Sequence, residues 1–352
     1  MNLYDSKTYQ RDLLKVALHV LNVEFFRNKA VLVTGATGLI CSAVVDLLLT
    51  LDDEFRLGLK VYAATRNREK CAERFLEKLD ENRLVHIPYD ATREFTIGFD
   101  VDCIIHGASN AAPRLLGAEP VETFFANVFG TVQLLKLCVN KKCRFRFISS
   151  SEVYGILPNQ LVPISESQSG FIDNLNPRNA YAEAKRAAEN LCSAYKAEYG
   201  IDFVIARPGH IYGPTALQSD NRVSSQFMYE AVRGKDLVLK SAGTQIRSYC
   251  YCLDCASALL SILTCGKNGE AYNISNKESV IMIREMAKIF AKYANVNLVF
   301  DIPSCTEKEN FNPMSNSSLC SKKLENLGWS SAFRKEEGFH HSIETIRELR
   351  GI

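Results

Sequence analysis

Tyr181-Ala182-Glu183-Ala184-Lys185 sets a phenol and a primary amine four positions apart. On a helix that spacing puts both side chains on one face, a turn from each other. An ammonium about 6 Å from a phenol, at an effective dielectric of about 20, favours the phenolate by on the order of 3 kcal/mol, or roughly two pKa units. The pair therefore predicts an acidified Tyr181 that serves as a general base near neutral pH. Upstream, Ser149-Ser150-Ser151-Glu152-Val153-Tyr154-Gly155 follows the apolar run Phe145-Arg146-Phe147-Ile148. A hydroxyl at Ser150 and a carboxylate at Glu152 thus emerge in a loop at a strand end, where functional side chains concentrate.

A third motif handles anions. Ala30-Val31-Leu32-Val33 runs into Thr34-Gly35-Ala36-Thr37-Gly38 and then an apolar helix through Leu49. Gly35 and Gly38 let the backbone approach a diphosphate, which the free N–H groups and dipole of the helix N-terminus would hold. Cys41 stands where a third glycine is expected for close helix–strand packing. Cysteine is small, so local adjustment is predicted rather than loss of the site. At the end of the second strand, Thr65-Arg66-Asn67-Arg68 replaces the acidic residue that would grip an adenosine ribose. Arg66 suits the 2′-phosphate of NADP or the face of adenine, which leaves NAD and NADP both open.

The elements that must position these groups alternate. Strands are expected at 30–33, 60–64, near Val85, and at 103–105, 145–148 and 203–205, with helical patterns between them. That order implies an α/β, Rossmann-type doubly wound parallel sheet covered on both faces. Residues 1–28 read as an amphipathic helical extension, with Leu13, Leu14, Ala17, Leu18 and Leu21 at helical spacing. Residues 29–207 form the dinucleotide-binding domain. Residues 208–352, with helices expected at 223–233, 254–264, 279–293 and 335–349, are expected to form a smaller α/β substrate domain, with some late segments returning to the sheet.

Composition bounds the function. The 352 residues carry 42 Lys+Arg against 40 Asp+Glu, a net charge of +2, with 47% hydrophobic and 23% charged residues. This is an ordinary globular balance, and it argues against a broad nucleic-acid or membrane-surface role. No apolar run approaches the roughly 18 residues of a membrane span, and the N-terminus lacks a signal-peptide layout. A cytoplasmic location is expected. The 12 cysteines are scattered and read as buried packing residues. Cys250, Cys252 and Cys255 lack a common zinc spacing, so no metal site is expected. His106, at a strand end, reads as packing or cofactor wall, and His340 and His341 as solvated.

Taken together, these motifs, with Asn127-Val128-Phe129-Gly130-Thr131, resemble the extended short-chain dehydrogenase/reductase superfamily over residues 30–345. The closest likeness is to nucleotide-sugar enzymes of the UDP-glucuronate decarboxylase type. It rests on Ser150–Gly155, on Asp220-Asn221-Arg222-Val223-Ser224 and on Gln245-Ile246-Arg247-Ser248-Tyr249-Cys250-Tyr251. Arg207-Pro208-Gly209-His210-Ile211-Tyr212-Gly213-Pro214 and Leu327-Gly328-Trp329 also fit. The resemblance implies a tightly bound, recycled NAD contacted by Gly35, Thr37, Gly38, Leu39, Ile40, Arg66, Asp90, Ala108, Asn127, Tyr181 and Lys185. It implies catalysis by Tyr181, Lys185, Ser150 and Glu152. Substrate contacts would come from Ser150, Ser151, Glu152, His210, Arg222 and Arg247, the arginines holding a diphosphate or, for Arg247, a sugar carboxylate.

Tyr181 would take a proton from a sugar 4-hydroxyl bonded by Ser150, giving a transient 4-keto sugar. In 4,6-dehydratases of this superfamily an Asp-Glu pair follows the catalytic Ser or Thr. Here Ser151-Glu152 follows, which favours decarboxylation; a nucleotide-sugar 4-epimerase or 4,6-dehydratase is the alternative. His210 replaces a usual asparagine and leaves a CDP- or dTDP-sugar open. A non-catalytic dinucleotide sensor is disfavoured because both Tyr181 and Lys185 are present. Family members commonly dimerise through two helices, here about 120–139 and 179–199, whose Val132, Leu135, Leu191 and Ala194 would serve either an interface or the core.

Overall fold

The computed structural model describes residues 2–75, 78–109, 117–302 and 314–352. Strands β1 (Ala30–Thr34), β2 (Lys60–Thr65), β3 (Leu84–Pro88), β4 (Cys103–His106), β5 (Arg144–Ile148) and β6 (Phe203–Pro208) alternate with helices, except that a loop and not the expected helix joins β3 to β4. After β7 (His210–Tyr212), β8 (Leu237–Leu239) and β9 (Ile246–Tyr251), strand β10 (Ala271–Ile274) returns to the main sheet. The sheet order is β10-β6-β5-β4-β1-β2-β3, all parallel. The chain reverses its direction of winding between β1 and β4, which opens a crevice at the carboxyl ends of those strands.

The short strands are apolar nearly throughout because both faces are covered. Val31 and Val33 join one core with the helices α1 (Lys7–Ala17) and α2 (Leu39–Phe55); Leu32 joins a second core on the opposite face. After α3 (Arg68–Phe75), that second face is covered by α4 (Pro120–Lys141) and α5 (Ala180–Tyr199). Leu135 is part of this core and fully buried. Helix α6 (Val223–Val232) and α7 (Cys252–Cys265) follow, and α7 packs on α2. The carbonyls at the end of α7 explain a buried arginine: Arg146 Nη2 donates to Ile262 at 2.7 Å and Arg144 Nη2 to Gly266 at 2.6 Å, two cations at the negative end of a helix.

The remaining strands, β11 (Val280–Met282), β12 (Leu298–Phe300) and β13 (Asn316–Ser317), build small sheets: β9 pairs with β7, β11 and β13, and β8 with β12. Helices α8 (Ile283–Ala294), α9 (Lys322–Glu325) and α10 (Glu337–Arg350) complete the order. Cys250, Cys252 and Cys255 are buried free thiols.

The N-terminal extension is integral to the fold. Asp46 of α2, fully buried, accepts from Tyr4 at 2.8 Å and Tyr9 at 2.5 Å and pairs with Arg74 of α3. One carboxylate thereby ties the extension to both helices. His341 does not stand in solvent as expected: its Nδ1 lies 2.9 Å from buried Asp12 of α1, which also accepts from Tyr251 at 3.1 Å. His340 stacks on Tyr293, with ring centroids 4.2 Å apart, and pairs with Glu344. Both histidines are drawn down because α10 packs on α1 and α8. Asp46→Ala should leave Arg74 buried without its carboxylate and cost about 3–5 kcal/mol. A denaturant titration showing a loss under about 1 kcal/mol would remove Asp46 from this role.

Candidate active site

The crevice is built around absent side chains. Gly35, with φ +69, lies against the next strand's exit so closely that a Cβ would meet the backbone of Ala108 at 2.9 Å. A Cβ on Gly38 would come within 3.2 Å of the Gly35 carbonyl. Gly38 is the N-cap of α2, no side chain caps that helix end, and its first turn carries no acid. Its Leu39 carbonyl accepts from buried Thr215 at 2.7 Å, which pins the helix start from the far side.

The departure at Cys41 has its compensation in Gly107. A Cβ at 107 would lie 2.3 Å from the Cys41 sulfur. The volume that a third glycine would leave free is filled by sulfur, and the side chain is deleted from the opposite strand instead.

Around this cradle the buried atoms Ser109 Oγ, Ser149 Oγ, His106 Nε2 and Asn127 Oδ1 have no protein partner. Three of them lie at the carboxyl ends of β4 and β5, and buried polar groups without partners are rare away from sites that bind something. His106 is held by Thr34 at 2.8 Å, and burial followed by the charge of Lys185 pushes it down to about 3, so it is a neutral wall residue. At the outer end, Arg66 pairs with Glu122 at 3.4 Å; burial raises the Asp90 carboxyl, but the backbone and side chain of Thr92, and after them the charges of Arg66 and Arg93, hold it low. Arg66 is thus already matched by the Glu122 carboxylate. Close backbone approach, an open helix N-terminus and these unpaired polar atoms fit a dinucleotide.

Tyr181 and Lys185, both buried, open α5 as the spacing predicts. Lys185 Nζ donates to the Ile148 carbonyl at 2.8 Å and sits 4.6 Å from the Phe147 ring centre and 5.8 Å from that of Tyr181. Burial pushes the amine down to about 7. The expected acidification of Tyr181 does not appear. Burial first, and the Glu152 carboxylate second, push the phenol up to about 12, while the Ser150 hydroxyl and Arg222 oppose them. The sequence estimate treated Lys185 as a charge in a polar medium, whereas the fold buries it and directs it at a carbonyl.

Ser150 caps the short helical turn Ser151–Tyr154 by accepting from the Glu152 N–H at 3.2 Å, which sets Ser150 and Glu152 toward Tyr181. Burial pushes the Glu152 carboxyl up, with Arg178 opposing. Arg178, on the turn Pro177–Asn179 just before α5, is a site residue the sequence reading missed. Its only signal was a position three residues before Tyr181.

Opposite stand His210, Arg222 and Arg247. Arg247 of β9 is buried, donates to its neighbouring Ile246 carbonyl at 2.9 Å, and has no carboxylate partner among the described residues. His210 is held down to about 3 by burial, then by Arg247 and Arg222, and its Nδ1 lacks a partner. Arg222 lies 3.5 Å from Asp220, so it is half neutralised where Arg247 is not.

The sequence pattern of the NAD dependent epimerase/dehydratase family matches residues 31–275. UDP-glucuronic acid decarboxylase 6 of Arabidopsis thaliana is 31% identical over 94% of the chain and 93% of its own length. UDP-glucuronic acid decarboxylase 1 of Xenopus tropicalis is 28% identical over 91% and 73%. Among solved structures, the Thermotoga maritima UDP-glucose 4-epimerase superposes with a TM-score of 0.74 at 22% identity, covering 91% of this chain and 99% of that one. The Streptomyces venezuelae dTDP-glucose 4,6-dehydratase, solved with NAD, gives 0.75 at 24%, covering 92% and 98%. These two likenesses establish the Rossmann-type fold.

Gly107→Ala should overpack against Cys41 and cost about 1–3 kcal/mol. Adding Cys41→Ala should recover at least half of that loss, a coupling read from a double-mutant cycle of thermal or denaturant unfolding. Strictly additive losses would separate the two positions.

Proposed function

The chain belongs to the NAD dependent epimerase/dehydratase family, and we propose that it decarboxylates a nucleotide-diphosphate hexuronic acid, UDP-glucuronate foremost, through a transient 4-keto intermediate. The observation that carries this reading is Glu152, the one carboxylate among the described residues whose charge acts on Tyr181, with a serine at 151. A 4,6-dehydratase would need a second acid there to protonate its leaving hydroxyl. The UDP-glucuronic acid decarboxylases similar to this chain support it.

NAD held by the Gly35–Gly38 cradle and the N-terminus of α2 would supply a hydride acceptor for C4, a donor for its return, and a positively charged ring. Tyr181 takes the 4-hydroxyl proton, and Ser150 bonds the same oxygen. Since burial holds Tyr181 as a phenol in the free protein, base strength depends on added positive charge. Lys185, fixed on Ile148, keeps the phenol in register. Once C4 is a ketone, the C5 carboxylate is a β-keto acid, and the electrons of the breaking bond flow toward the C4 oxygen held by Ser150 and Tyr181. Glu152, its carboxyl raised by burial, is placed to exchange a proton as the carbon is reprotonated. Arg247 receives the diphosphate as its missing counter-charge, with Arg222 beside it and neutral His210 offering a hydrogen bond.

A homodimer through α4 and α5 accompanies this reading. The exposed side chains Val121, Phe124 and Phe125 of α4 suit such a surface, whereas Leu135, expected there as an alternative, belongs to the core.

Tyr181→Phe should retain NAD and lose about 10²–10⁴-fold in kcat; near-parental turnover would overturn the mechanism. Arg247→Met should raise KM for the nucleotide sugar at least about 10-fold, the scale of one charge-assisted bond. An unchanged KM would move the diphosphate away from Arg247.

A further inference from the structure

At the amino ends of the central strands, opposite the active site, lies a cavity of about 650 Å³. It is formed where β1, β4, β5 and β6 begin and α4 and α5 end. Its lining includes both Cys138 and Cys143, with Lys29, Lys141, Lys142 and Arg144 around them. The two sulfurs are 3.2 Å apart. The local fold explains the meeting. Cys138 lies in the last turn of α4, Lys142 is its left-handed C-cap with φ 54, and Cys143 follows. A cap of this kind turns the residue after it back onto the last helical turn.

Nothing in the proposed chemistry uses these thiols. Both are buried against bulk solvent, and both line the cavity, so a reagent seated in it lies against them. Lys29, Lys141 and Arg144 are paired with Asp102, Asp100 and Asp202, at 2.8, 2.8 and 3.0 Å. Lys142 has no ion-pair partner among the described residues and supplies the unmatched charge at the mouth. The volume lies in the range of small-molecule sites.

We propose that Cys138 and Cys143 form a reversible intramolecular disulfide by exchange with a small anionic disulfide of the glutathione type admitted to this cavity. The thiol of Cys143 loses its proton to solvent and attacks one sulfur of the reagent, expelling one small thiolate. Cys138, held as a thiol by burial and then by its neighbour, loses its proton as its sulfur attacks the mixed disulfide and expels the second. Two protein thiols are oxidised, one small disulfide is reduced to two thiols, and the protons balance.

The test uses the full chain with glutathione disulfide, then alkylation of remaining thiols, digestion and mass spectrometry. The expected result is a linkage joining Cys138 to Cys143 that dithiothreitol reverses. Both cysteines remaining alkylated, while exposed Cys265 has taken up glutathione, would overturn the proposal. Cys138→Ser should instead stop the reaction at a glutathione adduct on Cys143, and no adduct there would contradict the order of attack. Lys142→Glu should slow the exchange with glutathione disulfide about 3–10-fold and leave exchange with neutral hydroxyethyl disulfide unchanged. An unchanged rate with glutathione disulfide, or the same slowing with both reagents relative to the parent protein, would refute the anionic specificity.

Discussion

The bond from Lys185 to the Ile148 carbonyl is the fixture on which the rest of the site depends. It ties the first turns of α5 to the end of β5, and in doing so sets Tyr181 against Ser150 and Glu152, which leave that strand end. A lysine buried without a carboxylate partner is an expensive arrangement, and here burial lowers its pKa to about 7. The same desolvation that weakens the amine also raises Tyr181 to about 12. The free protein is therefore a poor base by construction, and its reactive state requires the charge brought by what binds in the crevice. In the proposed mechanism, positive charge brought by the cofactor would strengthen Tyr181 as a base, beside the hydride chemistry the cofactor would supply.

The crevice is governed by contacts between backbones. Gly35 against Ala108 and Gly107 against Cys41 are two versions of one constraint: the strands β1 and β4 must exit close enough that one partner in each pair lacks a side chain. Beyond the crevice, Asp46 and Asp12 bind the N-terminal extension to helices from both ends of the chain, so residues 2–28 serve as part of the wall behind α2.

Much of this was legible in the sequence because it depends on local pattern. Apolar runs of strand length gave the parallel sheet, Gly35 and Gly38 marked the cradle, and the Tyr181–Lys185 spacing placed both on one helical face. What escaped depends on partners remote in sequence. Cys41 looked like a plain departure until Gly107, 66 positions away in the chain, supplied the other half of the contact. His341 looked solvated because its partner Asp12 is at the opposite end of the chain. The phenol's acidity was misjudged because four-residue spacing fixes distance but not the medium between the groups, nor the carbonyl that claims the ammonium. Arg178 carried no motif of its own; only the fold shows that its charge reaches Glu152.

The central claim is chemical: one carboxyl group beside Tyr181, with Ser151 where a second acid would be needed, commits the 4-keto sugar to losing its C5 carboxylate. Mass spectrometry of the product formed from UDP-glucuronate with NAD tests this directly. A product lighter by about 44 mass units, with carbon dioxide released and no net reduced cofactor, is predicted from recycling of the hydride. Loss of about 18 units from a hexose substrate, or an isomer of unchanged mass from UDP-glucuronate itself, would contradict it: the first calls for an acid at the leaving 6-hydroxyl, and the second returns the hydride to C4 with the carboxylate retained.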